Sequence, residues 1–310
     1  MSLLVVGSVA YDTIETPFGR VEEALGGSAM YFSAAASLFH PVQLVGVVGE
    51  DFSSDALDFL RRRDVDLSGL ERVPGGRSFR WVGRYTYDLN TAHTLDTQLG
   101  VFAGFRPTLP AAFRNAEWIF LANIDPELQL DVLSQVEAPR LVACDTMNFW
   151  IHGKRDALLE LLERVDVLLV NEAEARQLSG DHNLIRAARW IQDRGPGIVV
   201  IKKGEHGAIL VTRDTIFFAP GYPLEDVFDP TGAGDAFAGG FLGSLARAGG
   251  VTPGDLRRAM IYGSAMGSFA VERFGVSRLR DLTMDEVQER VRMFREMTAF
   301  ESALTEAAHG

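Results

Sequence analysis

The chain has 310 residues, of which 47% are hydrophobic and 23% charged, the balance of an ordinary globular protein able to bury a large core. Thirty Lys and Arg stand against 42 Asp and Glu, and the net charge of −12 disfavours nucleic acid or an anionic membrane surface as the main partner. The single cysteine, Cys144, excludes a disulfide framework and a four-cysteine metal site within one chain, and fits a reducing, cytoplasmic setting.

The opening residues Met1 to Gly7 read as a first strand over 3–6 rather than as a leader, and no stretch approaches the ~18 apolar residues of a membrane helix. Further short apolar runs predict strands over 42–48, 118–122, 140–144, 167–170, 198–202 and 208–211. Helical patterns predict helices over 29–39, 54–62, 126–135, 154–164, 172–178, 184–193 and 235–248, then 253–272 and 284–308. The last opens with the capping box Thr283-x-x-Glu286 and carries Val287, Val291, Phe294 and Met297 on one face, as a peripheral packing helix would. Strands alternating with helices predict a parallel sheet covered on both faces. Residues 9–20 and 77–105 break this rhythm with aromatic and β-branched alternation, as in Phe79 to Tyr87, and are expected to form a small accessory sheet. Ligands in such folds bind beyond the carboxyl ends of the strands, so this excursion is placed to act as a lid that excludes water. No linker or repeat divides the chain, and residues 1–310 are expected to form a single domain with the lid segments inserted.

The most informative stretch is Asp229-Pro230-Thr231-Gly232-Ala233-Gly234-Asp235, followed by the apolar run Ala236 to Leu242. It reads as a tight turn feeding a helix whose N-terminal N–H groups would attract an anion, with the Asp235 carboxylate alongside. That pairing suits phosphoryl transfer, in which amides hold the transferred group and a carboxylate takes the proton of the attacking hydroxyl. A plain helix-opening turn would use the same residues. Asp12, after the first strand, is either a solvated loop residue or an acceptor of two sugar hydroxyls. Asn171-x-x-Glu174 reads as a helix cap with acidic first-turn residues. The small residues Gly263 to Ser268 suit a close helix contact.

Asp229 to Leu242 resembles the C-terminal signature of the ribokinase-like (PfkB) family of carbohydrate and nucleoside kinases, and the likeness runs from Gly7 to Gly275. It implies an α/β, ribokinase-like three-layer fold with a mostly parallel central sheet and a small β lid. It also implies that Asp235 is the catalytic base and that Gly232, Ala233 and Gly234 form the anion hole. The acceptor is expected at Asp12, at Gly27 and Ser28 of a Gly-Gly motif, and at Tyr31, which stands near a position where many sugar kinases have Asn. Asn123 and Asp125 are further acceptor-site candidates. ATP is expected at Asn171, Lys202, Gly204, Ser264, Ala265, Ser268 and Gly275, with Mg²⁺ at Glu174 through water and K⁺ at Asp229 and Thr231. Val47 to Phe52 matches the family's Val-Gly-x-Asp element and is taken as architectural. The stretch Asp145 to Trp150 lacks an Arg that several relatives place there.

The primary expectation is an ATP-dependent kinase acting on a primary hydroxyl of a sugar or sugar-like alcohol. A nucleoside kinase is the alternative, since Tyr31, Trp81 and Tyr85 could clasp a base, and a non-catalytic nucleotide or sugar sensor is the rival of a different class. A P-loop kinase and a Rossmann dehydrogenase lack their glycine motifs here. The exposed edge of the lid suggests a homodimer formed through it.

Overall fold

The computed structural model describes residues 2–300. Among the described residues there are thirteen strands: β1 (Leu3–Val6), β2 (Ala10–Thr16), β3 (Gly19–Gly26), β4 (Val42–Gly49), β5 (Val65–Val73), β6 (Phe79–Tyr85) and β7 (Ala92–Gln98) in the first hundred residues. Then follow β8 (Trp118–Leu121), β9 (Leu141–Asp145), β10 (Val167–Asn171), β11 (Ile198–Lys202), β12 (Ala208–Val211) and β13 (Ile216–Ala219). Nine of them form one sheet in the order β13-β12-β11-β10-β9-β8-β1-β4-β5, parallel except for the antiparallel β11–β12 and β12–β13 pairs. The other four form the lid sheet, in the order β3-β2-β6-β7.

Alternation along the parallel strands divides the core in two. Leu3 and Val5 join the helices Ser28–Ala36, Ala233–Ala248 and Pro253–Ala270 on one face, whereas Leu4 and Val6 join Pro126–Gln135, Arg155–Leu162, Glu172–Ser179 and Leu184–Gln192 on the other. The result is three layers, the arrangement expected when both faces of a parallel sheet are apolar. Every residue of the Ser28–Ala36 helix is buried. The Ala233–Ala248 helix reaches it through Gly239, where a Cβ would stand 2.5 Å from the Phe32 carbonyl oxygen, so only glycine permits this approach.

All seven expected large-sheet strands are found, and β5 and β13 are additional edge strands that the sequence reading left unassigned. The expected 54–62 helix is instead a 3₁₀ turn (Asp55–Leu57) and a single helical turn (Asp58–Arg61). The final helix runs Met284–Thr298 with its Thr283/Glu286 capping box in place; Val287 and Phe294 are buried while Met297 is 44% exposed. Residues 301–308 of that expectation lie outside the described residues. Asp51 of the Val-Gly-x-Asp element ties the lid to the large sheet: it accepts from the Ser78 amide (2.8 Å), the Ser78 hydroxyl (2.7 Å) and Arg80 Nη1 (2.8 Å) at the start of β6.

Candidate active site

Gly232 opens the Ala233–Ala248 helix in the left-handed conformation, φ 73°, with no side chain capping the first turn. The Ala233 amide donates to the Pro230 carbonyl at 3.3 Å, no side chain caps the amides around it, and the helix dipole adds positive potential at the same point. Its position is set from two sides. Below, the Tyr31 ring lies where a Cβ on Gly232 would fall, 2.3 Å from Cγ. Behind, Asp229 Oδ1 accepts from the Thr231 amide (2.9 Å) and Oδ2 from the Gly275 amide (2.8 Å). Burial raises the Asp229 carboxyl above its ordinary range, and these two donors partly offset that.

Asp235 falls in the first turn of this helix, where it meets a group of charges carried by the ends of β9, β10 and β11. Lys202 Nζ is 2.8 Å from Asp145 Oδ2, with side-chain exposures of 16% and 6%, and a Cβ on Gly234 would stand 2.9 Å from the same Nζ. The ammonium therefore borders the turn that opens the helix. Asp235 is pushed up to about 7, by burial first and by Asp145 second, with Lys202 opposing. Glu174 is likewise raised to about 7 by burial and then Asp145. A carboxylate poised near neutrality is suited to receive a proton at physiological pH. Asp145 was not singled out as a site residue from the sequence. The available signal was a carboxylate ending an apolar parallel strand, Leu141-Val142-Ala143-Cys144-Asp145.

Asp12 sits within β2 rather than in a loop, and is 4% exposed. Its carboxyl is raised to about 8 by burial and then by Asp229, while the Gly27 amide hydrogen-bonds to it. Gly26 accommodates this carboxylate, since a Cβ there would be 1.9 Å from Oδ2. Ser28 and Ser8 exchange hydrogen bonds, Ser28 N to Ser8 Oγ at 2.9 Å and Ser8 N to Ser28 Oγ at 3.3 Å, fixing the helix start against the end of β1. Tyr31 is 1% exposed, and its hydroxyl is buried without a hydrogen-bond partner. Burial, then Asp229 and Asp12, hold this phenol well above its ordinary range.

The remaining candidates are placed as follows. Asn123 Oδ1 accepts from Trp150 Nε1 (3.0 Å), and Asp125 caps the Pro126–Gln135 helix through the Glu127 amide (3.0 Å). Asn171 and Glu174 form a reciprocal capping box, 2.7 and 2.8 Å, even as Glu174 faces Asp145 and Lys202 electrostatically. Gly204 has φ 54° and lies against Asn90 of the lid, whose Oδ1 would be 2.1 Å from a Cβ there. Ser264 and Ala265 are buried, and the Ser264 hydroxyl has no partner. Ser268 Oγ donates to the Ala265 carbonyl (2.7 Å) and accepts from Arg290 (3.0 Å). Gly275, at φ 60°, serves Asp229 through its amide.

Comparison with known proteins agrees with this architecture. The profile of the pfkB family carbohydrate kinase matches residues 2–281. A cytidine kinase of Thermococcus kodakarensis is 32% identical over 252 residues, 80% of this chain and 89% of that protein. The aminoimidazole riboside kinase of Salmonella typhimurium is 29% identical over 288 residues, covering 87% of this chain and 89% of the relative. Among solved structures, the nucleoside kinase of Methanocaldococcus jannaschii superposes with a TM-score of 0.75 at 24% identity, covering 94% and 98% of the two chains. A putative ribokinase II from E. coli gives 0.79 at 19% identity, covering 94% and 99%. With its family profile matched almost end to end and its three layers and lid shared with ribokinase-like structures, the chain belongs to the pfkB family of carbohydrate kinases.

Proposed function

We propose that the chain acts as one catalytic unit that transfers the terminal phosphoryl group of ATP to a primary hydroxyl of a sugar or sugar-like alcohol. One observation carries this reading: a half-buried Asp235 raised to about 7 directly follows the Gly232–Gly234 bend in the first turn of its helix, with Lys202 Nζ at that bend. The acceptor oxygen forms a bond to the terminal phosphorus as the bond to the bridging oxygen breaks, ADP leaves, and the acceptor proton passes to Asp235. The turn amides and Lys202 hold negative charge on the transferred group. Asp12, kept in the wall by Gly26 and Gly27, orients the acceptor hydroxyls. Ser264, Ala265, Ser268 and Gly204 would line the nucleotide.

The carboxylates of buried Asp145 and half-buried Glu174 fit a divalent cation, which Glu174 and Asn171 would hold through water and which would neutralise phosphate charge when bound. Among the described residues no group of three or more His, Cys, Asp or Glu side chains could hold a metal by itself, so the nucleotide's own oxygens would complete the shell. Both Asp229 carboxylate oxygens are already engaged by amides, so a K⁺ beside Asp229 and Thr231 would draw on main-chain oxygens. Among the described residues no helix is long and apolar enough to cross a membrane, and the lone buried thiol accords with a cytoplasmic enzyme. The lid strand β7 is exposed along all seven residues, an unpaired edge on which a second copy could extend the sheet into a dimer.

A nucleoside acceptor is the second reading, favoured by Trp81. In the parallel β2–β6 pair, Trp81 is the register partner of Asp12, so the two side chains share the face that also carries Tyr85. The indole lies flat along its strand, where a Cβ on Gly83 would be 1.9 Å from its ring, and Nε1 donates to Thr94 Oγ1 (3.1 Å). An aromatic plane pinned beside the hydroxyl-binding carboxylate is a surface on which a base could stack. The cytidine and nucleoside kinases among the relatives support the same acceptor class. A panel of sugars and nucleosides in an ADP-coupled assay tests both readings. Turnover of ribose or fructose without nucleosides sinks the second, and ATP binding without any transfer sinks both in favour of a sensor.

A further inference from the structure

Two hydrogen bonds join the lid to the segment that leads into the anion-binding turn. From β2, the Thr16 hydroxyl donates to the Phe228 carbonyl at 2.9 Å. From the end of β6, the Tyr85 hydroxyl accepts from Thr231 Oγ1 at 3.2 Å. Thr16 and Tyr85 are both buried, at 7% and 8% exposure, so water does not readily replace either bond. From the body of the protein, residues 228–232 are held by the Tyr31 ring under Gly232, the Gly275 amide on Asp229, and the Val271 carbonyl, which accepts from the Phe228 and Asp229 amides at 2.9 and 3.3 Å. These two lid bonds, with the edge-on Phe18–Phe228 ring contact (centroids 6.2 Å apart), would be lost if the lid sheet lifted, because β2 and β6 pair with each other and not with the large sheet.

We infer that Tyr85 and Thr16 are positioning residues that register the closed lid at the phosphoryl-holding turn, so that the turn is fully ordered only when the acceptor site is covered. The inference rests on the phosphotransferase reading. It adds a physical reason why the terminal phosphoryl would be presented to the acceptor and not to water: with the lid raised, Phe228 O and Thr231 Oγ1 lose their lid partners and the Thr231–Gly234 backbone gains freedom. Neither residue needs to touch the reacting atoms.

Amide hydrogen exchange across residues 228–234, in the full chain without nucleotide, tests this directly. A hydrogen bond's net contribution of about 1 kcal/mol corresponds to about fivefold. Tyr85→Phe keeps the ring and should speed exchange there about fivefold while leaving the Leu3–Val6 amides unchanged. Thr231→Val should do the same, and the double variant should exchange no faster than either single one. Thr16→Val should loosen the same segment, and Thr16→Ser should restore it. In turnover, Tyr85→Phe should lower kcat for transfer and raise the ratio of ATP hydrolysis to transfer, with the KM for ATP changed less than twofold. Unchanged exchange in Tyr85→Phe, or multiplicative effects in the double variant, would overturn the inference. The transfer rate of the unsubstituted protein separately reports on the phosphotransferase reading, so the two can fail independently.

Discussion

Replacing Asp235 with Asn removes one charge at nearly constant shape, and the geometry makes opposite demands on stability and rate. In the folded chain the carboxyl titrates at about 7 against an ordinary 3.8, because burial and Asp145 disfavour its ionised form. A group whose folded pKa is raised contributes its full stability below the unfolded pKa and loses it as pH climbs through the folded value. The window here is pH 4 to 7. At about 1.4 kcal/mol per unit, a shift of roughly 3 units costs up to about 4 kcal/mol once the group is ionised, an upper bound because the side chain is only half-buried. Asp235→Asn should therefore stabilise the protein by about 1–4 kcal/mol at pH 8 and by nothing below pH 4. Losing a general base should lower kcat by about 10²- to 10⁴-fold with the KM for ATP nearly unchanged. Denaturant unfolding at pH 4, 6 and 8, beside an ADP-coupled assay, reads both. A variant less stable than the parent at pH 8, or one with kcat within a few-fold of it, would refute the reasoning.

Further outcomes follow from the neighbouring charges and the turn. Asp145→Asn removes a charge that raises Asp235, so the acid limb of the kcat/KM profile should move to lower pH; Lys202→Met removes an opposing charge and should move it to higher pH. Equal displacement in one direction would dissociate the limb from Asp235. Gly232→Ala forces a Cβ into the left-handed region and onto the Tyr31 ring, and should cost about 1–3 kcal/mol in unfolding free energy together with a large loss of kcat. Trp81→Leu should lower kcat/KM for a nucleoside about 5- to 100-fold, the loss expected for one stacked base, while leaving ribose unaffected. A parallel loss on both acceptors would place Trp81 outside base recognition.

Much of this molecule is written locally. The apolar runs at 3–6, 118–121 and 167–170 are strands because near-continuous β-branched and Leu sequences suit a strand buried on both faces, and the helices between them carry their own stop and start signals. The turn before Asp235 is legible because glycine at a helix entrance has a backbone meaning by itself. The departures also have local causes: β5 and β13 are edge strands with half-exposed patterns, and residues 54–62 satisfy helical periodicity too briefly to hold one helix. Tertiary structure alone decided which charges meet. Asp145 and Lys202 are 57 positions apart, and Thr16 and Phe228 212 apart. Strand order brings the ends of β9, β10 and β11 to one edge, and only there do burial and mutual repulsion lift Asp235 and Glu174 toward neutrality. A carboxylate's proton affinity depends on the charges within a few ångströms and on the water excluded around it, quantities that no single stretch of chain encodes.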